Sequence, residues 1–129
     1  MNSGNLPEIR LGAKIQLAKL FFYDYCRLLA KDWYKPNRLY LKRMADETQE
    51  FIESNDNVLI INAPPRHGKS RLGTDLCSWV LGKWPDKKIM TGSYNEVLSQ
   101  TFSREVRNRI QTEKADPLIP VYSDVFKGI

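Results

Sequence analysis

The sequence predicts an α/β fold preceded by a helical segment, and three observations support this prediction. An apolar run at residues 58–61 leads into a loop that contains Gly-Lys-Ser, and a helical pattern of apolar residues follows this loop. A second apolar segment, residues 88–94, precedes another helical pattern. The hydrophobic content of 42% in 129 residues is sufficient for one buried core. Strands that alternate with helices are typical of a parallel sheet covered by helices on both faces.

Two helices are predicted ahead of the first strand. Apolar residues recur at near-helical spacing from about Pro7 to Lys31, with lysines and arginines between them. A turn around Pro36 follows, and Asn37 is placed to cap a second helix that runs to about Ser54. Residues 55–57, Asn-Asp-Asn, form a predicted turn before the first strand. We therefore divide the chain into a helical lead-in, residues 1–56, and a second part, residues 57–129.

Residues 63–70, Ala-Pro-Pro-Arg-His-Gly-Lys-Ser, have the composition and the setting of a phosphate-binding loop. Gly68 lets the backbone approach a phosphate, and N–H groups at the start of the following helix converge on its oxygens. Lys69 is expected to contact the β and γ phosphates of ATP, and the Ser70 hydroxyl to ligate Mg²⁺. Arg66 is expected to stabilise charge on the γ-phosphate during transfer, the alternative being a solvated arginine at a loop tip. The predicted phosphate-binding residues are Pro65, Arg66, His67, Gly68, Lys69, Ser70 and Arg71, with catalytic roles for Lys69 and Arg66.

The two helices of the second part have clear boundary signals. The first follows the loop directly, and Gly82 with Pro85 ends it. Ser93 and Glu96 form a predicted capping box for the second, whose apolar residues recur every four positions from residue 98 to residue 110. The order strand, phosphate-binding loop, helix, strand, helix opens the three-layer α/β/α fold of P-loop NTPases of the ASCE type, and the fold is expected to be incomplete here.

Charge and apolar patterning limit the partners of the chain. A formal net charge of +5 is compatible with an anionic partner such as nucleic acid, although an excess of this size is common in other proteins. Residues 1–10 are polar and contain no apolar core of a secretory signal. The most apolar stretch, residues 17–30, is interrupted by charged residues and is shorter than the roughly 20 residues that span a bilayer. We therefore expect an intracellular protein with no membrane partner.

Four segments of the second part resemble the large terminase subunit of tailed bacteriophages: residues 61–71, 79–83, 88–95 and 102–107. The most specific feature is the loop Pro-Pro-Arg-His-Gly-Lys-Ser combined with Ser-Tyr-Asn at residues 93–95. Residues 22–42 also resemble the lead-in found in terminases of phages and prophages of Gram-positive bacteria. The resemblance covers nearly all of the chain.

The resemblance implies an ATP-driven motor that moves double-stranded DNA into an empty procapsid. Its cofactors would be ATP and Mg²⁺. Its partners would be double-stranded phage DNA, the portal protein, the small terminase subunit and further copies of the chain in a homo-oligomeric ring. The implied location is the host bacterial cytoplasm, with transient docking at the procapsid portal.

The resemblance also implies two further groups of site residues. The family has an adenine-contacting segment, which would fall near Pro36 at Asn37, Arg38 and Tyr40, although a helix cap explains these residues equally well. The family also has an arginine that reaches into the site of the neighbouring subunit. Its candidates are Arg104, Arg107 and Arg109, and the alternative for each is a solvated charge on a helix.

Residues 57–129 are expected to form only the first half of such an ATPase domain. Hydrolysis requires an apolar strand that ends in acidic residues, and the sequence contains no such strand. We therefore expect the chain to stop before this Walker B strand, to lack the nuclease domain, and to bind ATP without turnover. Two alternatives remain: another P-loop nucleic-acid translocase or helicase, and a short protein that binds nucleotide or terminase partners without catalysis.

Overall fold

A computed structural model describes residues 6–93, 95–116 and 118–126, and the fold within these ranges is helical. Of the described residues, 61% are helical and none forms a strand. The chain divides into two compact units, Met1–Lys69 and Ser70–Ile129, which are described separately below. The helices of the described ranges are α1 (Leu6–Leu20), α2 (Phe22–Leu29), α3 (Leu39–Glu53), α4 (Lys69–Lys83), α5 (Glu96–Gln111) and α6 (Tyr122–Val125).

The predicted helix between residues 7 and 31 is two helices, because the chain is extended at Phe21 (φ −123°, ψ 122°). The side chain of Gln49 in α3 bridges this break. Its amide nitrogen donates to the Leu20 carbonyl oxygen and its amide oxygen accepts from the Phe22 N–H, both at 2.8 Å. Backbone groups that an uninterrupted helix would pair internally are therefore paired by a side chain.

The core of the first unit is formed by α1, α2, α3 and the connection between α2 and α3. The helix α3 begins one residue later than predicted, with Arg38 instead of Asn37 as its N-cap residue and no side-chain capping bond. The fully buried apolar residues are Ala18, Phe22, Tyr25, Cys26, Tyr34, Leu41 and Ala45.

The prediction of an α/β P-loop NTPase fold is wrong for the described residues. The apolar run that was expected to be the first strand exposes Val58 by 74% and Ile60 by 76%. In the second expected strand, which spans residues 88–94, Met90 is 97% exposed, and residue 94 lies outside the described ranges. A strand is stabilised by its ladder and by packing on its faces, and apolar sequence alone provides neither. Both segments have the sequence of a strand, but within the described residues neither pairs with another segment to form a sheet.

The second unit contains α4, α5 and α6. A buried hydrogen bond joins α6 to α4, in which the Tyr122 hydroxyl donates to the Ser78 carbonyl oxygen at 2.8 Å. The cap of α5 is Asn95, whose side chain accepts from the Leu98 N–H, so the predicted capping box of Ser93 and Glu96 is wrong. The buried apolar residues of this unit are Leu72, Trp79, Val121, Tyr122 and Val125. In the described part of the chain, none of the helices has the length and apolar character that crossing a bilayer requires.

Candidate phosphate-binding loop

The predicted phosphate-binding loop makes a sharp turn immediately before α4. Gly68 has φ +92° and Arg66 has φ +64°. A left-handed conformation is ordinary for glycine, but it costs a residue with a Cβ atom about 1–2 kcal/mol. The ring of His67 lies over this turn, with Nδ1 3.0 Å from the Pro65 carbonyl oxygen, to which it donates when that nitrogen carries the proton. The turn is therefore closed by a contact between its own residues, His67 and Pro65.

The backbone of Gly68 packs directly against two side chains of the first unit. A Cβ atom added at Gly68 would lie 3.0 Å from Cζ2 of Trp33 and 3.4 Å from Cδ2 of Leu41. The first distance is shorter than ordinary van der Waals contact. Glycine is thus required at this position both by the backbone conformation and by the close approach of the indole ring.

The segment predicted to contact adenine lies beside this loop. The Tyr40 ring is tilted against the His67 ring, with centroids 5.6 Å apart. The Arg38 guanidinium lies 4.8 Å from the centroid of the Trp33 ring, and its Nη1 donates to the Trp33 carbonyl oxygen at 3.1 Å. Asn37 is exposed. Tyr40 therefore contacts the loop itself, and Arg38 contacts Trp33, which lies against the loop. The role of these residues toward a nucleobase stays a prediction.

The predicted phosphate ligands are accessible to solvent. The helix α4 begins at Lys69 and is 15 residues long, so Lys69, Ser70 and Arg71 occupy its first turn. In this turn the N–H groups have no helical acceptor, and the helix dipole favours an anion. All predicted ligands are exposed except Gly68, which is half-buried.

The second unit contains a polar cleft between α4 and α5, with a volume of about 540 Å³. A buried ion pair lies in this cleft, where Nη2 of Arg109 is 2.9 Å from Oδ1 of Asp75. The Asp75 side chain is fully buried and that of Arg109 is 19% exposed. The Thr74 hydroxyl lies 3.2 Å from the Ser70 carbonyl oxygen and 3.3 Å from the Glu105 carboxylate, and its single proton is shared between these two acceptors. Besides these five residues, Arg71, Asn108 and Thr112 line the cleft.

The three candidates for a trans-acting arginine have different environments. Arg109 is paired with Asp75 inside the second unit. Arg104 and Arg107 are exposed on α5, where they line a separate groove of about 440 Å³ together with Glu96 and Gln100. The role of any of the three in a neighbouring subunit stays a prediction.

Sequence reasoning missed two residues of these sites. Trp33 was assigned to a turn, and no pattern in the sequence indicates that its ring contacts a loop 35 positions later. The sequence does indicate that Asp75 has a partner, because a carboxylate within the apolar pattern of a buried helix requires a cation nearby. Arg109 is that partner.

Within the described ranges, no group of three or more His, Cys, Asp and Glu residues is placed to hold a metal ion. Ser70, the predicted Mg²⁺ ligand, is exposed and would act together with the phosphates of a nucleotide. No family model, curated protein or solved structure matches the chain. The resemblance to the large terminase subunit therefore stays a prediction from the sequence segments that carry it.

Proposed function

We propose that the chain binds the phosphates of ATP, together with Mg²⁺, at residues 65–71. The observation that supports this proposal is the conformation of the loop: Gly68, with φ +92°, immediately precedes a 15-residue helix that begins at Lys69. A helix start of this kind has free N–H groups and the positive end of the helix dipole, both of which favour an anion.

Three side chains of the loop have distinct proposed roles. The Lys69 ammonium would neutralise charge on the β and γ phosphates, and the Ser70 hydroxyl would hold Mg²⁺, which would neutralise the phosphates further. The Arg66 guanidinium contacts γ-phosphate oxygens. Pro64 and Pro65 have no N–H to donate, so the backbone donors come from the residues after them.

We propose further that ATP binding serves a DNA-packaging motor of the large terminase type. This step rests on the resemblance of the sequence segments, and the net charge of +5 is compatible with a DNA partner. The proposed partners are double-stranded DNA, the portal protein, the small terminase subunit and other copies of the chain in a ring. The proposed location is the bacterial cytoplasm, at the procapsid portal during packaging.

Isothermal titration calorimetry with Mg·ATP tests the binding proposal. Lys69→Ala should weaken binding by about tenfold or more, because a hydrogen bond to a charged group contributes about 1.5–3 kcal/mol. Lys14→Ala is the matched control, since Lys14 is an exposed lysine of α1. Absence of Mg·ATP binding at millimolar concentration, or equal binding by the two variants, would contradict the proposal.

A further measurement tests the packaging role. In the phage or prophage whose genome encodes the chain, Lys69→Ala should leave procapsids empty, whereas Lys14→Ala should allow them to fill. Normal filling with Lys69→Ala would refute the packaging role.

A further inference from the structure

We propose that Trp33 is a positioning residue that holds the phosphate-binding loop in its binding conformation, an inference that rests on the proposed ATP-binding function. Trp33 lies in the connection between α2 and α3, outside the loop and outside the segment predicted to contact adenine. It touches the loop at the residue that has the least intrinsic restraint on its backbone, Gly68.

The contact between Trp33 and Gly68 is close enough to restrict the loop. A Cβ atom at Gly68 would be 3.0 Å from Cζ2 and 3.2 Å from Nε1 of the indole, so the ring occupies the space beside Gly68 that a side chain would need. Without the ring, Gly68 would lose its two nearest neighbours on that side and would leave φ +92° more easily, because glycine occupies positive and negative φ about equally well.

The indole is itself held in place by the chain around it. The Trp33 N–H donates to the Ala30 carbonyl oxygen at 3.1 Å, which fixes its backbone to the end of α2. Arg38 contacts Trp33 twice, through its guanidinium 4.8 Å from the ring centroid and through Nη1, which donates to the carbonyl oxygen. Trp33 therefore connects Arg38 to the loop.

This arrangement predicts how the loss of the ring affects different ligands. A loop that occupies its binding conformation only part of the time binds every phosphate ligand more weakly by the same factor. Loss of the Trp33 ring should therefore weaken Mg·ATP and Mg·triphosphate equally. A ring that contacted the base directly would affect ATP alone, because inorganic triphosphate has no base.

The test compares Trp33→Ala with Trp33→Phe by calorimetry, using Mg·ATP and inorganic Mg·triphosphate as separate probes. Trp33→Ala should weaken the binding of both probes by about tenfold, which corresponds to a loop that occupies its binding conformation roughly one tenth of the time. Trp33→Phe keeps a planar ring and should remain within about threefold of the unmodified chain. Trp84→Phe is the control, because Trp84 contacts Trp79 in the second unit. Circular dichroism establishes that each variant is folded.

The outcomes separate this inference from the function on which it rests. Unchanged triphosphate binding by folded Trp33→Ala overturns the inference, while the loss of binding in Lys69→Ala would still support the function. If the unmodified chain binds neither probe, the function fails and the inference fails with it.

A second pair of variants applies if Trp33→Ala does not fold. Arg38→Ala should then weaken both probes by about threefold, and Arg43→Ala, an exposed arginine of α3, should leave them unchanged. Equal binding by these two variants overturns the inference.

Discussion

Breaking the ion pair between Arg109 and Asp75 by removal of one partner is expected to destabilise the unit Ser70–Ile129 strongly. Its atoms are 2.9 Å apart, the carboxylate is fully buried and the guanidinium is 19% exposed. Arg109→Ala would leave the Asp75 carboxylate buried without this cation. Removal of one partner of a buried pair costs about 3–5 kcal/mol, and the partial exposure of Arg109 favours the lower end, about 3 kcal/mol.

Urea unfolding measures this cost. For a small unit whose free energy of unfolding falls by about 1.5 kcal/mol per molar urea, a loss of about 3 kcal/mol lowers the midpoint by about 2 M. Fluorescence in a Trp33→Phe background reports on Trp79 and Trp84, which belong to the same unit as the pair. Arg107→Ala is the control, because Arg107 is exposed on the same helix, and its effect should be within about 0.5 kcal/mol.

A double variant distinguishes a lost ion pair from lost packing. Asp75→Leu combined with Arg109→Met removes both charges and keeps apolar volume, so it should recover most of the stability that Arg109→Ala loses. If Arg109→Ala and Arg107→Ala unfold at the same urea concentration, the pair does not stabilise the unit and the reasoning is wrong. If the double variant is as unstable as Arg109→Ala, packing and not charge explains the loss.

Other predictions concern two glycines and Tyr122. Gly82→Ala should destabilise the chain by about 1–3 kcal/mol, because the added methyl carbon would overlap the Phe126 ring. Gly12→Ala in α1 meets no neighbour and should stabilise the chain by about 0.5–1 kcal/mol. Equal melting temperatures of the two variants would contradict this prediction. Tyr122→Phe removes the bond to the Ser78 carbonyl oxygen and should cost about 1 kcal/mol in urea unfolding. Burial raises the pKa of Tyr122 from 10.0 to about 12, so the unfolded chain loses this proton at lower pH than the folded chain does. The free energy of unfolding should therefore decrease as the pH rises from 10 to about 12. Tyr122→Phe should not show this decrease.

The helices could be predicted from the sequence because their signals are local. Apolar spacing indicated each long helix, and Gly82 with Pro85 marked the end of α4 correctly to within a few residues. The break at Phe21 was not predictable in this way, because it is stabilised by Gln49, a residue 27 positions away from Phe22. The strand predictions failed for the same reason, since a strand depends on a neighbour that its own sequence does not specify.

In the candidate site, too, the features set by neighbouring residues could be predicted, and the contacts between distant residues could not. The identities of Gly68, Lys69 and Ser70 specify a turn followed by a helix start, and the structure has both. The contacts of Trp33 with Gly68 and of Arg109 with Asp75 join residues more than 30 positions apart. A pattern within one segment indicates at most that Asp75 needs a cationic partner, and it does not identify Arg109 as that partner.

The contacts of the candidate phosphate-binding loop do not involve the strands that the fold prediction expected. In the expected fold, a strand would hold the loop from its N-terminal side, yet residues 58–60 are exposed and the described structure has no strand there. The side chains that contact the loop are instead Trp33 and Leu41 at Gly68, and Tyr40 at His67. Because these contacts come from α3 and from the connection before it, the loop has support that does not depend on a sheet. The ligand-binding tests of Lys69 and Trp33 therefore address the loop directly.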